Sequence, residues 1–144
     1  MFKKSIMLIV AGLAITALAA GGAALAQNLP TAVTQTQGLK RIPLQKFDVP
    51  PGEREAVVAV VEIAPNTDVA RHTHPGPETN YVLEGELTLN VEGQPPKMLK
   101  AGDSAYVPAG TPHAARTGPN GAKLLVVYIV EKGKPLASPA PAPA

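Results

Sequence analysis

Residues 72–91, HTHPGPETNYVLEGELTLNV, carry in one stretch both the pattern that sets the fold class and the residues that set the chemistry. In the second half, Leu87, Leu89 and Val91 alternate with Glu86, Thr88 and Asn90, the two-residue period of a strand with one buried face. Glu84-Gly85 and Glu92-Gly93 flank that alternation and predict a turn at each end. In the first half, His72 and His74 stand two residues apart, so a strand aims both imidazoles at one point. Pro75-Gly76-Pro77 then makes a rigid link that can swing the Glu78 carboxylate back toward the same point.

The segments on either side follow the same rules. Residues 56–63, AVVAVVEI, are rich in β-branched side chains and lie between a Pro-Pro-Gly signal and Pro65-Asn66. Gly102-Asp103 and Pro108-Ala109-Gly110 delimit a short strand through Tyr106, and Asn120-Gly121 leads as a turn into residues 123–130, KLLVVYIV. Beyond the N-terminal apolar run, no stretch keeps a helical period for three turns. Short strands at close spacing, punctuated by Gly and Pro, predict an all-β sandwich or barrel.

The ends differ in character. Lys3 and Lys4 precede an apolar run from Ile6 to about Ala20, and Ala24-Leu25-Ala26 offers a small-x-small cleavage signal before Gln27. This is the order of a secretory signal peptide (residues 1–26), with an apolar core too short and Gly-interrupted to suit a membrane span. An uncleaved N-terminal anchor is the competing account. Cleavage after Ala26 predicts a periplasmic or secreted product with no membrane segment. Residues 27–38 are polar and aperiodic, a flexible or strap-like leader. Residues 135–144, PLASPAPAPA, form a Pro/Ala tail expected to stay extended, disordered and outside the core. Residues 39–134 between them suffice for one domain with a modest core.

The formal net charge of +2 owes everything to Lys3 and Lys4; without them, the 11 acidic residues are matched one for one. No basic block remains to track phosphates and Trp is absent, which argues against a nucleic-acid partner. The absence of cysteine excludes disulfides, thiol nucleophiles and thiolate ligands. A domain of this size without such staples needs another source of stability, such as a bound metal or a dimer interface.

The chain has three histidines, and the third, His113, follows Pro108-Ala109-Gly110-Thr111-Pro112, a turn that would present it from a neighbouring strand. Three neutral imidazoles and one carboxylate suit divalent Mn, Fe, Co, Ni, Cu or Zn, and fit Ca²⁺ or Mg²⁺ poorly. Four protein ligands in an octahedral arrangement leave two positions for water, substrate or dioxygen. On these residues alone, a His-x-His pair on a strand surface is a competing account.

The two segments together resemble the paired motifs of the cupin superfamily. The first runs His72-x-His74-x3-Glu78-x6-Gly85, and the second Gly102-x5-Pro108-x-Gly110-x2-His113. Two departures stand out: Asn66 where the first motif usually opens with Gly, and Thr117 where the second usually ends with Asn. Asn tolerates left-handed turn geometry, so the first change is mild, while the second bears on local packing. The resemblance covers Leu39 to Leu136 and is nearest to small, exported, single-domain bacterial cupins. It implies a double-stranded β-helix, or jelly-roll, barrel that dimerises with a second copy. It also implies a divalent transition metal ion inside the barrel (Mn, Fe, Ni, Zn or Cu), held by His72, His74, Glu78 and His113.

Around that set, Asn80 and Val82 share strand parity with Glu78 and would line the cavity, while Tyr81 and Leu83 face away. The phenols of Tyr106 and Tyr128 either reach the cavity or pack with their hydroxyls at its rim. Arg116 is a candidate carboxylate anchor or a solvated loop charge; Arg71 points away by parity, and Glu84 belongs to the edge. No Ser-His-Asp set is available, since every histidine is claimed as a ligand. The expected function is a metal-dependent oxygenase, lyase or isomerase on a small molecule, dioxygenase-like chemistry being the first expectation. The alternative is a non-catalytic metal- or small-ligand-binding module.

Overall fold

The computed structural model describes residues 34–142, so the predicted signal peptide and residues 27–33 of the leader lie outside the described residues. The described residues form nine strands and no helix: β1 Thr34–Thr36, β2 Leu39–Asp48, β3 Arg54–Ile63, β4 Asp68–Thr73, β5 Glu78–Val91, β6 Lys97–Lys100, β7 Ser104–Val107, β8 His113–Glu131 and β9 Ser138–Pro139. All pairings are antiparallel.

Two long strands build the architecture. The C-terminal half of β8 pairs with β3 on one side and with the first half of β5 on the other; β2 and β7 extend this layer. The N-terminal half of β8 pairs with β4 and with the second half of β5, and β9 and β6 extend that layer. One curled sheet therefore supplies two facing layers, the barrel expected from the strand pattern and the jelly roll that the resemblance implied.

The bend between the layers falls where turns were expected. Glu84-Gly85 and Asn120-Gly121 do not end their strands: β5 runs on for 14 residues and β8 for 19. Both sites are bulges instead, with register shifts between Val82 and Glu84 and between Gly85 and Leu87. Gly85 and Gly121 hold φ of 75° and 69°. A Cβ on Gly85 would lie 2.0 Å from the Gly121 carbonyl oxygen, and one on Gly121 would lie 2.5 Å from that of Ile63. Only glycine accepts both the backbone angle and the close approach, and the bulges turn the sheet through the corner.

Alternation then fills the interior. Val57, Val61 and Ile63 of β3, Val82, Leu87, Leu89 and Val91 of β5, Leu99, Val107, and Leu124, Val126, Tyr128 and Val130 of β8 pack into one cluster. Each such side chain contributes about 1.5–3 kcal/mol on burial. The alternate residues Tyr81, Leu83, Met98 and Tyr106 face out and are exposed. The two departures from the family motif meet at one turn. Asn66 adopts φ 52°, and the Thr117 hydroxyl accepts from Thr67 N–H at 2.9 Å and donates to the Ala64 carbonyl at 2.7 Å. The buried hydroxyl of Thr117 thus ties down the turn that Asn66 opens.

The Pro/Ala tail departs from expectation. Residues 135–142 lie across the barrel as a strap: β9 pairs with β4 through His72↔Pro139 and Thr73↔Ser138. Ala140 N–H donates to the Arg71 carbonyl, and Arg71 Nε donates to the Pro141 carbonyl at 2.8 Å. Leu136 packs partly buried against the core. The composition is that of an extended segment, and an extended segment is what a free sheet edge accepts as a partner.

Candidate metal centre

The two layers meet over the chemistry. His72 sits near the end of β4, directly opposite His113, the first residue of β8. Glu78 opens β5 and lies opposite Tyr128 in the other layer. His74 occupies the link just after β4. Its ring centroid is 4.8 Å from that of His72, 5.1 Å from that of His113 and 4.8 Å from that of Tyr128. One nitrogen from each of the three imidazoles lies within 4.8 Å of the others, so the three histidines are able to hold a metal ion. The structure also brings the fourth residue to them: Glu78 Oε2 is 2.8 Å from His74 Nε2 and 3.5 Å from His113 Nε2. These separations bracket the roughly 3.0 Å between adjacent donors that each stand about 2.1 Å from a common ion.

The hydrogen bonds decide which nitrogens are available. Nδ1 of His72 meets the Ala70 carbonyl at 2.7 Å, Nδ1 of His74 meets that of Leu136 at 2.5 Å, and Nδ1 of His113 meets that of Thr111 at 2.9 Å. A carbonyl only accepts, so each Nδ1 carries the proton and each Nε2 of a neutral ring presents a lone pair. Nε2 of His74 and of His113 are buried with no hydrogen-bond partner. At 2.8 Å, His74 Nε2 and Glu78 Oε2 are then two acceptors facing each other, which is repulsive unless a cation lies between them. Either a proton or a metal ion meets that demand.

The electrostatics point the same way. Burial alone would raise the Glu78 carboxyl, but the adjoining imidazoles of His113 and His74 outweigh it and hold the group well below the usual carboxylate range. Burial lowers His72 to about 4, so that ring is neutral at pH 7. His113 is also desolvated, yet its contact with the Glu78 carboxylate leaves it raised above the ordinary value. Tyr128 is pushed up to about 12 by burial, reinforced by the Glu78 charge, so its phenol keeps its proton. Asn80 Nδ2 donates to Glu78 Oε1 at 3.2 Å and steadies the carboxylate plane.

His72, Glu78, Asn80, His113 and Tyr128 line a cavity of about 60 Å³. That is far below the roughly 300–1,000 Å³ of pockets that take drug-sized ligands, so the enclosed space suits a small ligand and not a multi-ring one. Most of its wall is apolar, from Val61, Ile63, Leu87, Leu89, Leu124 and Val126 among others. Of the residues expected near it, Asn80 lines the cavity and Val82 is buried beside it in the core. The two tyrosines divide: Tyr128 is part of the wall, whereas Tyr106 is 60% exposed on the outside. Arg116, a candidate anchor, instead forms an exposed ion pair with Asp68 outside the cavity. Arg71 pairs with Glu92, and Glu84 is exposed at the edge. The strand pattern gave little notice of Arg41, which lines the cavity from β2. Its one signal is shared parity with Leu39, another wall residue.

Comparison with known proteins agrees with this geometry. Dimethylsulfoniopropionate lyase DddQ of Ruegeria pomeroyi is 46% identical over 46 residues, 32% of this chain and 23% of the lyase. Dimethylsulfoniopropionate lyase DddW of the same organism is 31% identical over 68 residues, 47% of this chain and 44% of the lyase. The chain thus spans less than half the length of either curated relative. An RmlC-like cupin from Shewanella frigidimarina superposes with a TM-score of 0.56 at 28% identity, covering 72% of this chain and 86% of that one. The family model for the cupin domain matches residues 59–128, from mid-β3 to Tyr128 in the cavity wall. With that match, the curled antiparallel barrel and its structural neighbours in agreement, the chain belongs to the cupin superfamily.

Proposed function

We propose that this cupin holds one divalent transition metal with His72, His74, Glu78 and His113, and works as a lyase on a short carboxylic acid of the dimethylsulfoniopropionate type. The observation that carries the metal is the facing of two buried acceptors, His74 Nε2 and Glu78 Oε2, at 2.8 Å. The lyase assignment rests on the likeness to DddQ and DddW, and the small cavity favours a short acid over a multi-ring flavonol. A bound metal would act as a Lewis acid on a substrate oxygen.

The chain's own residues do the rest. Asn80 orients the Glu78 carboxylate, the protonated Tyr128 phenol is a donor to a substrate oxygen, and the apolar wall strengthens both interactions by excluding water. Elimination transfers a proton from the carbon next to the carboxylate to a solvent base, and the electron pair of that C–H bond forms the alkene. The bond to the leaving group breaks with its pair on the leaving atom; from dimethylsulfoniopropionate the products are dimethyl sulfide and acrylate. Metal-loaded protein is expected to release dimethyl sulfide into the headspace and acrylate into solution, and a chelator is expected to stop both. Loaded protein that transforms neither this compound nor related short acids overturns the lyase assignment.

One observation favours a second reading, a module that binds without turnover. All three histidines and the one carboxylate lining the cavity belong to the ligand set, and the nearby phenol holds its proton. Tight calorimetric uptake of a short acid with no product would decide for it. We also propose export with cleavage after Ala26, and a homodimer that covers the exposed Tyr81, Leu83, Met98 and Tyr106. The N-terminal mass of the protein from its native compartment checks the first, and light scattering checks the second.

A further inference from the structure

Arg41 is a cation without an anion. It lies on β2 opposite Val61 and reaches inward, with its guanidinium carbon 5.6 Å from the centre of the Tyr128 ring. It lines the same cavity as His72, Glu78, Asn80 and His113. Its Nε is buried and finds no hydrogen-bond partner. Neighbouring cations on its strand are matched, Lys40 with Glu62 at 3.4 Å and Lys46 with Glu55 at 2.9 Å. Among the described residues no ion pair involves Arg41, and residues 1–33 contain no Asp or Glu.

A guanidinium held against an apolar wall is stable only if something offsets its lost hydration. The aromatic face of Tyr128 supplies part of this, since a cation over a ring is attracted to its negative face. The aromatic face does not pair the buried Nε–H, however, and the natural complement of a guanidinium fork is a carboxylate. Tyr128 is in contact with both Arg41 and His74, so a ligand of a few heavy atoms spans both.

We infer that Arg41 is the carboxylate-binding residue of this cavity, pairing with the acid group of a short ligand whose carboxylate faces the histidines as well. This deepens the function proposed above by assigning the acid-recognition role to a β2 residue in place of Arg116, and it rests on that function for the identity of the acid only. It makes the cavity selective for ligands that carry a carboxylate over molecules of the same shape that lack one.

The test compares propionate with propionamide, which share shape but not charge, by calorimetry on the full mature chain with and without bound Zn²⁺. Metal-free wild-type protein is expected to bind propionate at least tenfold more tightly than propionamide. Arg41→Gln is expected to abolish that preference while Zn²⁺ content and the circular-dichroism spectrum stay as in wild type. Arg41→Lys, which keeps the charge but loses the fork, is expected to restore part of it. Equal binding of the two probes to wild-type protein overturns the inference without reference to any variant. Undiminished propionate preference in folded Arg41→Gln overturns it as well. Failure of Zn²⁺ to bind, with the charge preference intact in the metal-free protein, removes the metal-dependent function and leaves the Arg41 assignment standing.

Discussion

Ending the chain after Lys134 removes the strap and isolates its contribution to the metal centre. In the intact protein, His74 Nδ1–H donates to the Leu136 carbonyl at 2.5 Å in a position where the ring is 3% exposed. Removing residues 135–144 takes away that acceptor, the β9 pairing beside His72, and the Pro141 carbonyl that receives Arg71. A buried donor left without its acceptor costs about 1–3 kcal/mol. Loss of a group that orients a histidine ligand typically lowers metal affinity about 10–100-fold, or about 1.4–2.7 kcal/mol, and the two scales agree. Competition of Zn²⁺ against a fluorescent chelator measures the affinity, and thermal melts in excess chelator measure the fold separately. The control is Leu136→Ala, which removes a partly buried side chain but keeps the carbonyl. It is expected to lower Tm while leaving Zn²⁺ affinity nearly unchanged. A truncated chain that binds Zn²⁺ as tightly as the intact one refutes the role assigned to the strap.

Three further outcomes are expected. Glu78→Gln removes the negative charge that His74 and His113 face at 2.8 and 3.5 Å, so bound metal measured by elemental analysis should fall at least tenfold in a protein that still folds. Full metal stoichiometry in this variant would remove Glu78 from the ligand set. Gly85→Ala puts a methyl group 2.0 Å from the Gly121 carbonyl oxygen at φ 75°. It should destabilise the barrel by more than about 2 kcal/mol in urea unfolding, and a loss under about 1 kcal/mol would mean that the corner is not where the sheet bends. The metal-free protein should be most stable near pH 6.5. His72, lowered by burial to about 4 in the fold from an ordinary 6.5, destabilises as pH falls through that window, because only the unfolded chain takes up the proton. His113 is raised, so its contribution is complete below 6.5 and is lost as pH climbs through its native value. Loaded protein should instead lose stability steadily on acidification, since protons compete with the metal. Melting curves of the two forms that respond identically to pH contradict this account.

The convergence of His72, His74 and Glu78 was legible because their spacing is local. His72 and His74 share a face through strand parity, and Pro75-Gly76-Pro77 returns Glu78 to them over a short span. Local signals misled at Gly85 and Gly121, where a glycine after a polar residue reads the same for a turn and for a bulge. What separates the two is the neighbouring strand, and the register of β5 against β8 shows it to be a bulge. The tail misled for a related reason. Its composition states that it will not form a core of its own, but not that the open edge of β4 will accept it.

By itself, the sequence determined that this is an all-β chain, with every imidazole gathered in two turn-framed segments and no cysteine or basic block to support other chemistry. Those properties follow from side-chain period, residue type and short spacing, each complete within a few residues. Only the tertiary structure decided that Arg41 and Tyr128 share the cavity, that Arg116 does not, and that the Leu136 carbonyl fixes which nitrogen of His74 is left to bind. The first two depend on how β2 and β8 pair with strands distant in the chain. The third is a backbone atom, present in every residue alike, and gains a role only from what the fold sets against it.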